Sequence, residues 1–220
     1  MKRRILLLIC VLGACMGVRA QYSDIANGIA NVLMPAVSGS KSYRGNVEVD
    51  YNQGVGRYRT NSVTFTTSQG YQLTDWLYMG AGLGVDVFWS QVGPGWDAGW
   101  SGPDWNRQSY TSRAVMIPIF TDFRFKAGSW KKPSFFADLK VGAAFLCTDD
   151  YVKIRDGYLT NTTYFYLQPS IGVRIPVNEA NAKQALNIGV HYRLITSDYW
   201  SGYQSSVVLN GLGANVSFEW

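Results

Sequence analysis

A single histidine, His191, is the only imidazole in the 220-residue chain. A histidine hydrogen-bonded to a serine and oriented by a carboxylate is the apparatus of acyl hydrolysis. If the surrounding stretch is a strand, Gly189 and Arg193 share the face of His191. That face carries an unusual charge content for one side of a sheet. By alternation it gathers Glu48, Asp50, Asp86, Asp122, Asp138 and Glu219, and against them Arg44, Arg124, Lys126, Lys140, Arg174 and Arg193. Six acids facing six bases on an enclosed surface pair with one another, which makes a structural ionic network the expected chemistry. His191 is expected inside that network, bonded to Asp138 or Glu48. Glu219 is expected to point towards Lys126, Lys140 or Arg44. A second chemical candidate is the stretch 91–112, where Trp96, Trp100 and Trp105 stand among Gly, Pro and Asp. Tryptophans at such spacing stack on sugar rings or partner aromatics, or they fold over the end of the structure that carries them and protect it. No metal or cofactor motif is legible, so no cofactor is expected.

The elements that position these residues are strands. The last ten residues set Leu212, Ala214, Val216, Phe218 and Trp220 against Gly211, Gly213, Asn215, Ser217 and Glu219, a strict period of two. The same alternation recurs over roughly 43–52, 58–69, 76–90, 113–126, 134–148, 163–176, 185–195 and 206–220. The clearest case runs Leu77, Met79, Ala81, Leu83, Val85, Val87 and Trp89 along one face, with Tyr78, Gly80, Gly82, Gly84, Asp86 and Phe88 opposite. The connections sort by parity. Those at 70–75, 127–133 and 177–184 are short, and those at 91–112, 149–161 and 196–205 are longer and richer in Gly, Trp, Tyr and Asp. Only 53–57 is short where a long one is expected. Aromatics gather near strand ends: Tyr43, Tyr51, Tyr71, Trp76, Trp89, Trp130, Phe135, Tyr192 and Trp220. Apolar-out, polar-in strands with aromatic girdles and one-sided long loops describe a transmembrane barrel. The inward glycines are expected to make room for long Arg, Lys and Tyr side chains.

Residues 1–20 carry a basic start, Lys2-Arg3-Arg4, an apolar run from Ile5 to Val18 and a small-residue cleavage site at Val18-Arg19-Ala20. The run is shorter than the ~20 residues that span a bilayer, so it reads as a cleaved signal peptide. Leu12-Gly13-Ala14-Cys15 offers the alternative of lipidation at Cys15. The whole chain has 20 Lys+Arg and 15 Asp+Glu; four of the bases and none of the acids lie in 1–20, leaving 16 against 15. That near-neutral remainder gives no support for nucleic-acid binding. Two of the three cysteines lie in the same segment, and Cys147 alone has no internal disulfide partner. Residues 21–41 form an N-terminal segment, with Asp24 or Ser23 able to cap a short helix before Pro35. It reads as a periplasmic or lumen-plugging element or a disordered leader. The barrel itself is expected over 42–220. Mean hydropathy is close to zero, as alternating strands require.

The signal segment, the strand Met79-Gly-Ala-Gly-Leu-Gly-Val85, the strand Phe136-Ala-Asp-Leu-Lys-Val-Gly142 and the ending Asn215-Val-Ser-Phe-Glu-Trp220 resemble the small outer-membrane β-barrel family of OmpA-type and OmpX-like domains. The resemblance implies an all-β, eight-stranded antiparallel up-and-down barrel in the outer membrane. It also implies insertion by the barrel assembly machinery, with Phe218 and Trp220 as the assembly signal. It implies no single activity, since such barrels serve as adhesins, anchors, pores and enzymes. The expected role is therefore a non-enzymatic outer-membrane protein with a filled polar lumen. Its partners are outer-membrane lipid and an unnamed extracellular ligand met by the loops. The alternatives are a narrow pore for ions or small solutes, and a barrel lipid hydrolase.

Overall fold

The structure is a computed structural model that describes residues 42–92, 110–128, 132–148, 151–155, 157–160, 162–177, 184–197 and 207–220. Residues 1–41, the loop bearing Trp96, Trp100 and Trp105, and Trp130 lie outside the described residues. Ten strands are present among the rest: β1 (Ser42–Val55), β2 (Asn61–Gln72), β3 (Leu77–Val92), β4 (Tyr110–Ala127), β5 (Ser134–Leu146), β6 (Tyr151–Ile154), β7 (Gly157–Thr160), β8 (Thr163–Pro176), β9 (Ala185–Ser197) and β10 (Val207–Glu219). Eight of them close into one antiparallel barrel in the order β1-β10-β9-β8-β5-β4-β3-β2. Each strand pairs with its neighbour in sequence except where β6 and β7 intervene, and β1 pairs with β10 to close the ring.

The expected alternation governs the wall. Along β2 every second residue from Ser62 to Gln72 is buried and the residues between them are exposed or half-buried. A polar residue inside and an apolar one outside inverts a soluble sheet, and it exposes Val49, Phe65, Leu83, Ile171, Val190, Leu212 and Val216 along the outer surface. Aromatic rings meet near both ends of this apolar belt. Tyr43 packs edge-on to Tyr71 with centroids 5.8 Å apart, Trp76 stacks on Phe125 at 6.0 Å, and Phe218 stacks on Trp220 at 6.3 Å. Towards the other end Tyr51 lies 6.4 Å from Trp89. Leu77 departs from the pattern. It sits on the outward phase yet is buried, because its carbonyl accepts from the amides of Leu73 and Thr74 in the β2–β3 turn, folding that turn against it.

The short connections β2–β3, β4–β5 and β8–β9 lie at one end, here called the turn end, together with Ser42 and Trp220. The β4–β5 turn bends at Gly128, whose φ of 109° lies in the left-handed region that a side chain rarely adopts. The other end is the loop end. There the stretch 149–161, expected as an irregular loop, contains the β6–β7 hairpin. Part of its signal was present: Val152 and Ile154 alternate, and Asp156 and Gly157 after them are residue types that favour turns.

A strand crosses a bilayer in roughly 9–11 residues. The barrel strands run from 12 residues in β2 to 18 in β4. They therefore project past the apolar belt, and the projecting walls need a core of their own. The hairpin supplies it.

Candidate functional site

All twelve charged residues assigned to the inner face by alternation, and His191, are buried in the lumen. Their side chains form three tiers. At the turn end, Arg44 donates to Glu219 at 2.5 Å and Arg174 to the other oxygen of Glu219 at 3.2 Å, with Lys126 lining the same cavity. Arg44 is the partner expected for Glu219. Arg174 is a second partner that the phase alone did not single out. It arrives because Ser134↔Arg174 and Arg174↔Asn187 place it at the turn end of β8, facing the end of β10 across the lumen.

The middle tier holds Glu48, Asp50, Asp122, Arg124, Asp138 and Lys140. Lys140 pairs with Glu48 across the barrel. Arg124 bonds Asp138 at 3.2 Å and stands 4.0 Å from both Glu48 and Asp122. The Ser68 hydroxyl donates to Asp122 at 2.6 Å. With its amide oxygen turned towards Arg124, Asn46 accepts from that guanidinium at 3.1 Å and donates to Ser217. Above this tier Arg193 donates to Asp86 at 2.5 Å, to Thr64 at 2.9 Å and to Ser62, and the Asn52 amide oxygen turns to meet it at 2.7 Å.

A recurrent third partner was not anticipated. Each of three buried bases lies over an inward-facing phenylalanine: Arg124 over Phe136 at 5.5 Å, Lys140 over Phe120 at 5.7 Å and Arg193 over Phe88 at 4.9 Å. A desolvated cation gains from a ring face as well as from its carboxylate. Gly82 and Gly172 serve these rings, while Gly80 lies beside the Tyr78 hydroxyl, one of the long side chains the inward glycines were expected to accommodate. A Cβ on Gly82 would stand 2.5 Å from the Phe120 ring, and one on Gly172 2.7 Å from that of Phe136.

His191 is inside the lumen, as its phase requires, but its carboxylate neighbour is Asp50, with Nδ1 3.6 Å from Oδ1, rather than Asp138 or Glu48. The register explains this. Gly213 pairs with His191 on one side and with Asn52 of β1 on the other, so the imidazole reaches β1 at the height of Asp50. Gln168 holds the same Asp50 oxygen at 3.2 Å and receives the Tyr166 hydroxyl at 2.5 Å. Ser170 pairs with His191 across β8–β9, yet neither its hydroxyl nor either imidazole nitrogen has a hydrogen-bond partner among the described residues. The serine–histidine bond that activates a nucleophile is not formed.

Above the Arg193 tier the lumen changes character. Phe88, Ala114, Met116, Ala144, Leu146, Tyr164, Ile195, Val207 and Leu209 face inward and join Val152, Ile154 and Leu159 of the hairpin in one apolar cluster. The hairpin leaves the wall between β5 and β8 and reaches across the ring. The Arg155 amide donates to Ser90 of β3 at 3.2 Å, and Gly157 abuts the ring of Tyr58 in the β1–β2 connection. At its base the Tyr164 hydroxyl donates to the carbonyl of Thr160 and accepts its amide, both at 2.9 Å. An interior of ion pairs throughout was expected. The ionic part instead ends under an apolar cap, because strand segments beyond the lipid belt can bury apolar groups on their inner face only if something fills the mouth.

An eight-stranded antiparallel barrel with an apolar outer belt, a filled polar lumen and short turns at one end has the fold of the small outer-membrane β-barrels. No family profile matches the chain, and no curated protein matches its sequence. Among solved structures the chain is similar to Neisserial surface protein A, with 12% identity, a TM-score of 0.52, and coverage of 82% of this chain and 98% of that one. The outer membrane enzyme PagL aligns at 10% identity and a TM-score of 0.48 over 78% of this chain and 97% of that one. The N-terminal β-barrel domain of Pseudomonas aeruginosa OprF aligns at 9% identity and a TM-score of 0.44 over 82% and 100%. At these identities the likeness is one of fold.

Proposed function

We propose that this chain is an integral outer-membrane protein whose barrel is a closed, non-enzymatic scaffold, acting through what its loop end presents outside the cell. The observation that carries the reading is the apolar cap. Leu159 is fully buried, Ile154 and Val152 nearly so, and together they lie over a lumen already filled by ion pairs. An eight-strand barrel is only wide enough for side chains to fill. Ions entering from the loop end would have to cross an apolar layer and then displace bonded charges, each at a high desolvation cost.

The outer belt supports lipid as the first partner, and the aromatic pairs near both ends of the strands suit the two interfaces of a bilayer. On this reading the turn end faces the periplasm, and Phe218 and Trp220 present the aromatic strand read by the barrel assembly machinery. Planar-bilayer recording tests the scaffold reading. The expected trace is closed, with rare small events. A steady open current from the purified wild-type barrel would replace it with a narrow pore.

A further inference from the structure

The outer wall of the barrel is not evenly filled. At the turn end of β5, Phe135 is 73% exposed, the most of any large apolar side chain among the described residues. The register accounts for it. On the outward face Phe135 meets Ala127 across β4, and the next outward residue along β5 is Ala137, which faces Phe125. With an alanine on each of these sides the ring stands clear of the wall. A groove of about 740 Å³ opens beside it, lined mainly by Phe125, Phe135, Ala137, Ile171, Val173 and Ile188. That volume is within the range of small-molecule sites, which are mostly apolar with a few placed polar groups.

The polar group stands at the end of the groove. Ala127 and Phe135 both line it, and the turn that joins their strands carries Lys132. Lys132 is exposed, lies three residues before Phe135, and makes no ion pair among the described residues. Asp75, in the neighbouring β2–β3 turn, acts on Lys126 instead. An apolar groove within the outer belt, ending at a cation, matches a molecule with a hydrocarbon chain and an anionic head. A second barrel matches it less well. Its outer wall is convex and does not enter a groove, and a two-fold pairing would set two Lys132 at one level of the same interface.

We propose that this groove seats one chain of an anionic glycerophospholipid from the leaflet at the turn end, with the phosphate held by Lys132. The proposal rests on the reading of the chain as a membrane barrel, and it makes one lipid a resident partner. For the test, the barrel is refolded into equimolar phosphatidylglycerol–phosphatidylcholine vesicles, extracted in mild detergent and weighed by native mass spectrometry. One phospholipid is expected to stay on the folded wild-type barrel, with phosphatidylglycerol retained about fivefold over phosphatidylcholine, the ratio that a single basic side chain near a membrane surface gives. Lys132→Gln is expected to keep a lipid but bring that ratio to about one. Ala137→Phe, which fills the groove with a ring, is expected to lose the lipid while keeping the gel shift of a folded barrel. A folded wild-type barrel without lipid overturns the proposal, as does equal retention of the two lipids, an unchanged ratio in Lys132→Gln or undiminished retention in Ala137→Phe. A lipid-free mass of two barrels also overturns it and gives the groove to a second copy. If Ala137→Phe does not fold, the wild-type ratio and Lys132→Gln decide alone. In all these outcomes the wild-type barrel still inserts; a chain that never inserts into the vesicles fails the outer-membrane reading itself, and the lipid seat with it.

Discussion

Whether the lumen is a packed ionic interior or a wet channel is decided by the Glu48–Lys140 pair. Both side chains are 1% exposed, and each reaches the other across the barrel. Breaking a buried pair by removing one partner costs roughly 3–5 kcal/mol, because the survivor is left as a buried charge. Two features of the site soften that cost. Lys140 also lies over Phe120 at 5.7 Å, and Glu48 has Arg124 at 4.0 Å. Glu48→Leu and Lys140→Met are therefore each expected to cost about 3 kcal/mol, at the low end of the range. The double variant Glu48→Leu/Lys140→Met is expected to fall within about 1 kcal/mol of wild type, since apolar replacement of a whole buried pair is often neutral or better. Urea titration of the barrel refolded into phospholipid vesicles, scored by the gel shift between folded and unfolded forms, gives all four corners of the cycle. In a water-filled channel the pair would be screened and each single change would cost ~0–1 kcal/mol. Small, additive single effects would refute the filled lumen.

Leu159→Ala is expected to destabilise the barrel by about 2–5 kcal/mol, because the side chain is fully buried in the cap; an unchanged urea midpoint would mean that the hairpin is not packed onto the wall. Leu83 is 53% exposed midway between Trp76 and Trp89. Leu83→Arg is expected to cost roughly 2–4 kcal/mol as a lipid-facing charge near the bilayer centre, and Leu83→Phe almost nothing, by the same titration. Gly213→Val is expected to abolish refolding, since its Cβ would enter the Tyr51 carbonyl of β1 and stand 2.5 Å from His191 Nε2. A folded Gly213→Val barrel on a heat-modifiability gel would contradict the register of β10. A serine-directed fluorophosphonate is expected to leave Ser170 unlabelled in mass spectrometry, because no bond to His191 activates it; stoichiometric labelling at Ser170 would reopen the hydrolase reading.

The wall was legible because its two faces meet different solvents, so that the inward and outward positions of Ser62–Phe65 in β2 and Leu212–Glu219 in β10 differ in residue type. Charge could be placed by phase, but partners could not. His191 was given to Asp138 or Glu48, and the pairing Gly213↔His191 sends it to Asp50 instead. Phase says which residues enter the lumen; only the stagger of strands says at what height. The cap was missed although it left a trace. In β4, Ala114-Val115-Met116-Ile117 is apolar on both phases, as a segment covered on both sides must be. The inward rings Phe120 and Phe136 were passed over because an aromatic on the polar phase looks like an exception until its cation is in place. The tryptophans at 96, 100 and 105 lie outside the described residues, so their role rests on sequence alone.

The seam between β1 and β10 pairs residues from opposite ends of the barrel segment, from Asn46↔Glu219 to Val55↔Asn210. Until it closes, both flanking strands present open edges whose amides and carbonyls have no partner in lipid. It is also the contact of greatest sequence separation, and such contacts form slowly. Assembly therefore has a late committing event, and an error there could not be repaired piecemeal: a slip of one residue would turn Glu219 towards lipid and Trp220 into the lumen. The Trp220 amide and carbonyl bond those of Gly45 at 3.0 and 3.1 Å, and the indole lies over a position where any side chain would collide with it. One glycine against one indole thus acts as a proofreading notch, admitting the first and last strands to each other in a single register.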